Sequence, residues 1–407
     1  MKAVSLVLNS FNNDVTVDLP TSKSISNRLL IIQALCEQHF EINNLSDADD
    51  TVLLQELLIS KADTLDCGMG GTTMRFLLSY LVLKGDTRIV TGHSRLKERP
   101  IKELLLALES LGAKFHYLEK EFSLPLRIVQ GISTGGSVTI DTSISSQFVS
   151  SLMLIAPYLK NGLTINFSGS TVSSSYIYMT ANLMKQYGVD VISNSNSIAI
   201  PESKYIAKEV TVNGDWSSAA FIYGICALIP NSKIEFANLR LDRLQGDEAL
   251  VDIMRNFGLS TTISQNGIQI KNCLPTNNLS KLELINNPDL LPALAVLAFC
   301  KGIKIEFTGL QTLVGKESNR LAAIQTELKK LNADVQITDS TLKVNSQLDE
   351  EKLNNIVFDT YNDHRLAMAF SLFAVFNQPI TINNPTVVSK SFPRYFDVMN
   401  ELGFKLA

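Results

Sequence analysis

The chain has little of several things that would place it quickly. In 407 residues there are only four histidines and five cysteines. His39, His93, His116 and His364 lie far apart, and no Cys/His group has metal-ligand spacing, which excludes an ordinary structural zinc site. Cys36, Cys67, Cys226, Cys273 and Cys300 are odd in number and scattered through apolar stretches. That is the pattern of reduced thiols in a cytoplasmic protein, not of a disulfide framework. The longest apolar runs, 219–230 and 290–300, fall short of the roughly 18 residues that suggest a membrane span. The amino terminus has no signal or transit character. Net charge is only −4, with a pI near 5.7, which argues against nucleic acid as a bulk electrostatic partner. No Ser/His/Asp set is recognisable, and Gly68-Met69-Gly70-Gly71-Thr72-Thr73 lacks the Lys-Ser/Thr ending of a P-loop.

What is present is a repeat. The 45% hydrophobic and 19% charged residues suit a globular chain, and the length suits two or three domains. Six segments begin with small or polar residues and run into a helix-length apolar stretch: 24–36, 71–83, 145–159, 215–229, 287–300 and 362–376. Each leads into a short strand-like run, such as Lys233-Ile234-Glu235-Phe236, and then into a more amphipathic helix. Most of these second helices meet a breaker, Gly112, Gly188, Gly258, Asn332 or Gly403, suited to a left-handed cap. Successive starts lie about 70 residues apart, except for a shorter first spacing.

The recurrence predicts a mixed α/β fold. Because the first helix of each repeat is apolar nearly all round, it belongs in a core. The expected architecture is therefore two α/β domains of three repeats each, with buried helices surrounded by sheets. One domain is expected to be discontinuous, residues 1–20 with 215–407, and the other to span 21–214. The active site is expected in the cleft between them.

Cations recur at the helix starts and linking loops: Lys23, Arg28, Arg75, Arg95, Lys97, Arg99, Lys316, Arg320, Arg365 and Lys390. The positive end of a helix dipole repels lysine and arginine. Together with hydroxyls and the amides of a first turn, however, they make a receptor for anions. Thr21-Ser22-Lys23-Ser24-Ile25-Ser26-Asn27-Arg28 has this composition, with Ser and Thr hydroxyls expected to cap the helix. Lys97-Glu98-Arg99-Pro100 puts an arginine before an expected helix-starting proline. Ser145-Ser146-Gln147 offers neutral polar contacts or a cap, and Tyr361-Asn362-Asp363-His364-Arg365 packs many ligand types into one turn. Two carboxylates could move protons: Asp289 in the first turn of an apolar helix, and Glu317 beside Lys316. The plainer roles open to them are dipole compensation for Asp289 and a surface ion pair for Glu317. Asp49 and Asp50 are read as dipole compensation alone.

These motifs, in this order, resemble the 5-enolpyruvylshikimate-3-phosphate synthase family of enolpyruvyl transferases over essentially the whole chain. They include Ser22-Lys23-Ser24-x-Ser26-Asn27-Arg28, Gly71-Thr72-x-Met74-Arg75, Lys97-Glu98-Arg99-Pro100-Ile101, Ser145-Ser146-Gln147-Phe148 and Gly214-Asp215-x-Ser217-Ser218-Ala219. Pro288-Asp289, Lys316-Glu317-x-x-Arg320-Leu321, Tyr361-Asn362-Asp363-His364-Arg365 and Lys390-Ser391-Phe392-Pro393 follow.

The resemblance implies two inverse α/β domains and transfer of enolpyruvate from phosphoenolpyruvate to the 5-hydroxyl of shikimate 3-phosphate. It implies Lys23, Ser24, Arg28, Ser145, Ser146, Gln147, Ser173, Tyr176, Asp289, Thr312 and Lys316 around shikimate 3-phosphate. It implies Lys23, Gly71, Arg99, Gln147, Arg320, Arg365 and Lys390 around phosphoenolpyruvate. Asp289 would be the base, with Lys316 beside it, and Glu317 the acid. No metal or organic cofactor is implied, nor any membrane or nucleic-acid partner, and the chain is expected to act as a cytoplasmic monomer.

The UDP-N-acetylglucosamine enolpyruvyl transferases are the alternative within the fold. They carry Lys-Asn at the first motif and a reactive loop cysteine, where this chain has Lys23-Ser24 and no cysteine in a basic loop. A non-catalytic anion-binding relative is the alternative outside catalysis. Met69, Gly70, Phe76, Tyr178, Thr312, Val314 and Asn319 depart from the usual family residues.

Overall fold

The computed structural model describes residues 2–276 and 279–407. All six apolar segments form helices: Lys23–Leu35, Gly71–Lys84, Ser146–Ile155, Trp216–Leu228, Leu291–Lys301 and His364–Phe370. The third and sixth stop short of their apolar runs, because the chain tightens to 3-10 turns at Ala156–Tyr158 and Ser371–Phe376. These helices are the core. Every residue from Trp216 to Ala227 and from Leu291 to Cys300 is buried. At about 1.5–3 kcal/mol for each large apolar side chain removed from water, such a helix anchors itself without an amphipathic face.

A second helix follows in every repeat: Asp49–Ile59, Lys102–Ser110, Ser174–Gln186, Leu250–Arg255, Arg320–Lys329 and Tyr395–Glu401. The helix of the second repeat begins at Lys102 with Ile101 as its cap, so Pro100 precedes the helix and does not start it. Five of these helices lead to the anticipated breakers, and Gly112, Gly188, Gly258, Asn332 and Gly403 all have positive φ.

Five repeats carry a four-stranded sheet of one topology. In all but the fourth the strand before the core helix pairs parallel with the strand after it, and in all five two further strands continue the sheet antiparallel. In the fifth repeat Lys281–Glu283 runs parallel to Ile305–Thr308, which pairs antiparallel with Leu342–Val344, and that with Val335–Ile337. Nothing in the sequence pattern marks these antiparallel strands. In the sixth repeat the strand between Ile380–Asn383 and Phe404–Leu406 is the amino-terminal Ala3–Leu8, antiparallel to both.

The first repeat is the exception and explains the short first spacing. Its second helix runs directly towards Thr64–Asp66, the opening strand of the second repeat, so its sheet has only two strands. The opening strands of repeats one and four are also exchanged. Thr16–Val17, before the first core helix, pairs with Lys233–Phe236, while Val210–Thr211, before the fourth, pairs with Ile42–Asn43.

The chain divides into two compact units, Met1–Thr21 with Asn213–Ala407, and Ser22–Val212. The first unit holds three of the four-stranded sheets, and the second holds two together with the two-stranded one.

Candidate active site

In the unit Ser22–Val212 the starts of the three core helices converge through a chain of polar contacts. The first helix has Ser22 as its cap residue, but its hydroxyl makes no capping hydrogen bond and is fully buried, contrary to the expected hydroxyl cap. Lys23 Nζ instead lies 3.0 Å from Asp50 Oδ2, at the start of the neighbouring helix Asp49–Ile59. Asp50 therefore does more than compensate a dipole. Its backbone carbonyl accepts a hydrogen bond from Thr73 Oγ1, which ties it to the second core helix.

The second core helix begins with Gly71, where the lack of a side chain is essential. A Cβ there would stand 2.6 Å from Arg99 Cζ and 2.7 Å from Arg75 Nη1. Two guanidinium groups thus lie against one Cα. Arg75 donates to Gln147 Oε1 at 2.7 Å, reaching the third core helix, and Arg99 donates to the Met69 carbonyl at 3.4 Å. Ser145 caps the third helix, its Oγ accepting from the Gln147 amide at 3.2 Å, so the capping role foreseen for it is real. Ser146 is buried beside it.

Arg28 lies one turn into the first core helix and is 2% exposed. It donates to Thr180 Oγ1, the Ser24 carbonyl, Ser150 Oγ and the Tyr176 carbonyl. Its guanidinium stands 5.3 Å from the Phe76 ring centroid and 5.9 Å from that of Tyr176. None of these partners is a carboxylate. Burial accordingly pulls the Arg28 pKa down to about 10. Ser173, buried and at φ 53°, holds the cap position of the helix that carries Tyr176 but makes no side-chain capping hydrogen bond.

The other unit repeats the arrangement with carboxylates. Asp289 lies in the 3-10 turn Pro288–Leu290 that leads into Leu291–Lys301. Arg320 Nη1 meets its Oδ1 at 2.7 Å, Arg365 Nη2 its Oδ2 at 3.3 Å, and Lys316 Nζ its Oδ1 at 3.5 Å. Arg320 is 1% exposed and also holds Glu317 Oε2 at 3.1 Å and Asp363 Oδ2 at 2.7 Å. Glu317 is consequently in a nearly buried pair, not the surface pair considered above. Asp363 caps the third core helix of this unit, accepting from the Arg365 amide at 3.0 Å.

Burial works to raise the Asp289 pKa, but Arg365, Lys316 and Arg320 outweigh it and hold the carboxyl well below its usual range. The carboxylates around Arg320 raise its own pKa despite burial. Thr312 lies in Gln311–Leu313, packed against the Asp289 turn, and its hydroxyl is buried without a hydrogen-bond partner among the described residues. Lys390 ends Pro385–Lys390, which packs on His364–Phe370.

Asp247 was not visible in the sequence. It accepts hydrogen bonds from Ser217 Oγ, at the start of the first core helix of this unit, and from Asn287 Nδ2 at 3.1 Å. Burial, reinforced by the charge of Asp289, pushes its pKa up to about 6. A folded pKa above the unfolded one means stability that is present below about pH 4 and lost as pH rises through about 6. Asp247→Asn is therefore expected to gain on the unaltered chain by roughly 1–3 kcal/mol between about pH 4 and pH 7.5. Denaturant unfolding of both chains at the two pH values checks this, and a gap independent of pH would refute it.

The departures noted in the sequence also find places. Asn319 caps Arg320–Lys329 by accepting from the Ala322 amide, as an aspartate would. Phe76 lies under Arg28, and Tyr178 is exposed. Among the described residues no group of three or more His, Cys, Asp or Glu could hold a metal ion, and no helix is long and apolar enough to cross a membrane.

Buried helices inside repeated small sheets define a repeat-built α/β fold also seen in a solved structure of EPSP synthase from Acinetobacter baumannii. That structure matches the whole of both chains at 20% identity with a TM-score of 0.78. The sequence goes further. Residues 52–399 match the family model for EPSP synthase (3-phosphoshikimate 1-carboxyvinyltransferase). The chain is 38% identical over 96% of its length to a 3-phosphoshikimate 1-carboxyvinyltransferase of Bacteroides fragilis strain YCH46, covering 95% of that protein. It is 36% identical, over 95% of its length and 96% of the relative's, to one of Vibrio atlanticus strain LGP32. The chain belongs to the EPSP synthase family.

Proposed function

We propose that this protein transfers the enolpyruvyl group of phosphoenolpyruvate to the 5-hydroxyl of shikimate 3-phosphate and releases phosphate. The observation that carries the reading is the cluster of buried Asp289, Arg320 and Arg365 with half-buried Lys316 and Glu317 in a chain of this family. Asp289 takes the hydroxyl proton as the shikimate oxygen bonds to C2 of phosphoenolpyruvate. Glu317 protonates C3, giving a tetrahedral intermediate. Breaking the C2–phosphate bond, with loss of a proton from the new methyl group, leaves the enol ether.

The roles divide by chemistry. Arg28 is a buried cation with only neutral partners, and an anion offsets what its burial costs. Arg28 with Lys23, Ser24, Ser145, Ser146, Gln147, Ser173, Tyr176, Thr312 and Lys316 receives shikimate 3-phosphate. Phosphoenolpyruvate is held by Lys23, Arg99, Gln147, Arg320, Arg365 and Lys390, with Gly71 allowing close approach to a helix N-terminus.

A carboxylate hemmed in by three cations is ionised but weakly basic. Phosphoenolpyruvate draws Arg365 and Arg320 towards its own charges and so restores the basicity of Asp289 when the reaction needs it. The same reading has the protein working as a cytoplasmic monomer.

The test is direct. Purified protein given both substrates should release phosphate and form the enolpyruvyl ether in equal amounts. Binding of shikimate 3-phosphate without product would mark a non-catalytic relative instead.

A further inference from the structure

The outer helix Arg320–Lys329 and the turn before His364 are joined at two points, and only one of them touches the proposed chemistry. The first is Arg320 on Asp363. The second is Glu327, seven residues and about two turns further along, hence on the same helix face. Glu327 has no exposed side-chain surface. Its Oε1 accepts from the Tyr361 hydroxyl at 2.7 Å, and its Oε2 from the Asp359 amide at 3.1 Å and from Lys330 Nζ at 2.7 Å. Lys330 also binds the Val357 carbonyl and Asp359 Oδ2.

The turn that this carboxylate grips is an unusual one. Tyr361 and Asn362 both have left-handed backbones, at φ 53° and 56°. A left-handed residue other than glycine costs about 1–2 kcal/mol, so a tyrosine there calls for a compensating side-chain contact. The Tyr361 hydroxyl has one in Glu327, and Asn362 has one in Asn384, whose Nδ2 donates to Asn362 Oδ1 at 2.7 Å. The two reversed residues deliver Asp363 to its cap position and to Arg320, and place Arg365 on Asp289. A buried carboxylate is costly unless fully partnered. Glu327 is fully partnered, and its partners all belong to this turn or to Lys330, the residue that ends the helix.

We propose that Glu327 and Tyr361 form a latch that positions Arg365 and Asp363, making both positioning residues for the phosphoenolpyruvate half of the site. This rests on the reaction proposed above. The latch fixes the register between the helix that begins with Arg320 and the turn that ends in Arg365. Without it the turn relaxes towards ordinary φ values and Arg365 moves off its anion.

Steady-state kinetics of Tyr361→Phe and Glu327→Gln, with each substrate varied in turn, test the latch. Tyr361→Phe removes one hydroxyl and is expected to raise the KM for phosphoenolpyruvate roughly tenfold, with the KM for shikimate 3-phosphate within about twofold of the unaltered chain. The double variant should fall short of the two single effects combined, because both changes act on the same contact. Lower thermal stability with both KM values unchanged would overturn the proposal and leave the contact merely structural. If Glu327→Gln does not fold, Tyr361→Phe alone decides. No turnover by the unaltered chain would overturn the proposed reaction and the latch with it. An active chain with indifferent variants overturns the latch alone.

Discussion

Replacing Asp289 by asparagine is expected to lower kcat roughly 10³-fold while changing the affinity for a phosphoenolpyruvate analogue less than about tenfold. Asparagine matches aspartate in size and keeps one oxygen for Arg320 or Arg365, so the anion-binding groups stay close to their places. What it loses is the capacity to accept the shikimate proton, together with a charge that three cations surround. Steady-state assays with both substrates measure the first effect, and calorimetry with the analogue measures the second. Full activity in the variant would remove Asp289 from the role of base. An equal collapse of analogue binding would make it a scaffold for the arginines instead.

Arg320→Leu is expected to destabilise the unit Met1–Thr21 with Asn213–Ala407 by about 3–5 kcal/mol, lowering its Tm by roughly 6–20 °C. Leucine fills space of a similar kind but abandons three carboxylates. Asp289 keeps Arg365 and Lys316, so most of the loss falls on Asp363, which is fully buried, and on Glu317. Replacing such an ion cluster wholesale with apolar residues can be neutral, but removing its central cation leaves charges buried and unmatched. Calorimetric or denaturant unfolding checks the value. A shift below about 1 kcal/mol would mean that water or rearranged lysines already serve these carboxylates.

The core helices were legible because their signal is local. An unbroken apolar run such as Leu290 to Cys300 has no solvated face, whatever surrounds it. The breakers Gly112, Gly188 and Asn332 were legible for the same reason, since the left-handed cap is a property of one residue. The sheets were not, because pairs such as Val210–Thr211 with Ile42–Asn43 involve two residues each and partners far apart in the chain. Nothing in the composition of Thr16–Val17 says that it joins a strand more than 200 residues later.

The site divides in the same way. Lys23, Arg99 and Arg365 stood out as cations at expected helix starts, and Asp289 through the Pro288-Asp289 motif of the family. Asp50 and Asp247 did not, because an acidic residue in a first turn already has a sufficient local explanation. Glu327 read as one more charge on an amphipathic helix. Its burial against Tyr361 is a tertiary fact.

The amino-terminal strand gives the chain an order in time. Ala3–Leu8 leaves the ribosome more than 370 residues ahead of its partners Ile380–Asn383 and Phe404–Leu406. At about 5–20 residues per second that interval is roughly 20–80 s. Ser22–Val212 has all its strands long before then and can close while synthesis continues. Until those partners emerge the first strand has both edges open; Ser5 and Ala407 then exchange backbone hydrogen bonds at 2.8 and 3.0 Å. A chain cut before Phe404 thus lacks the edge strand of the sheet that Ala3–Leu8 centres, in the same unit as Asp289.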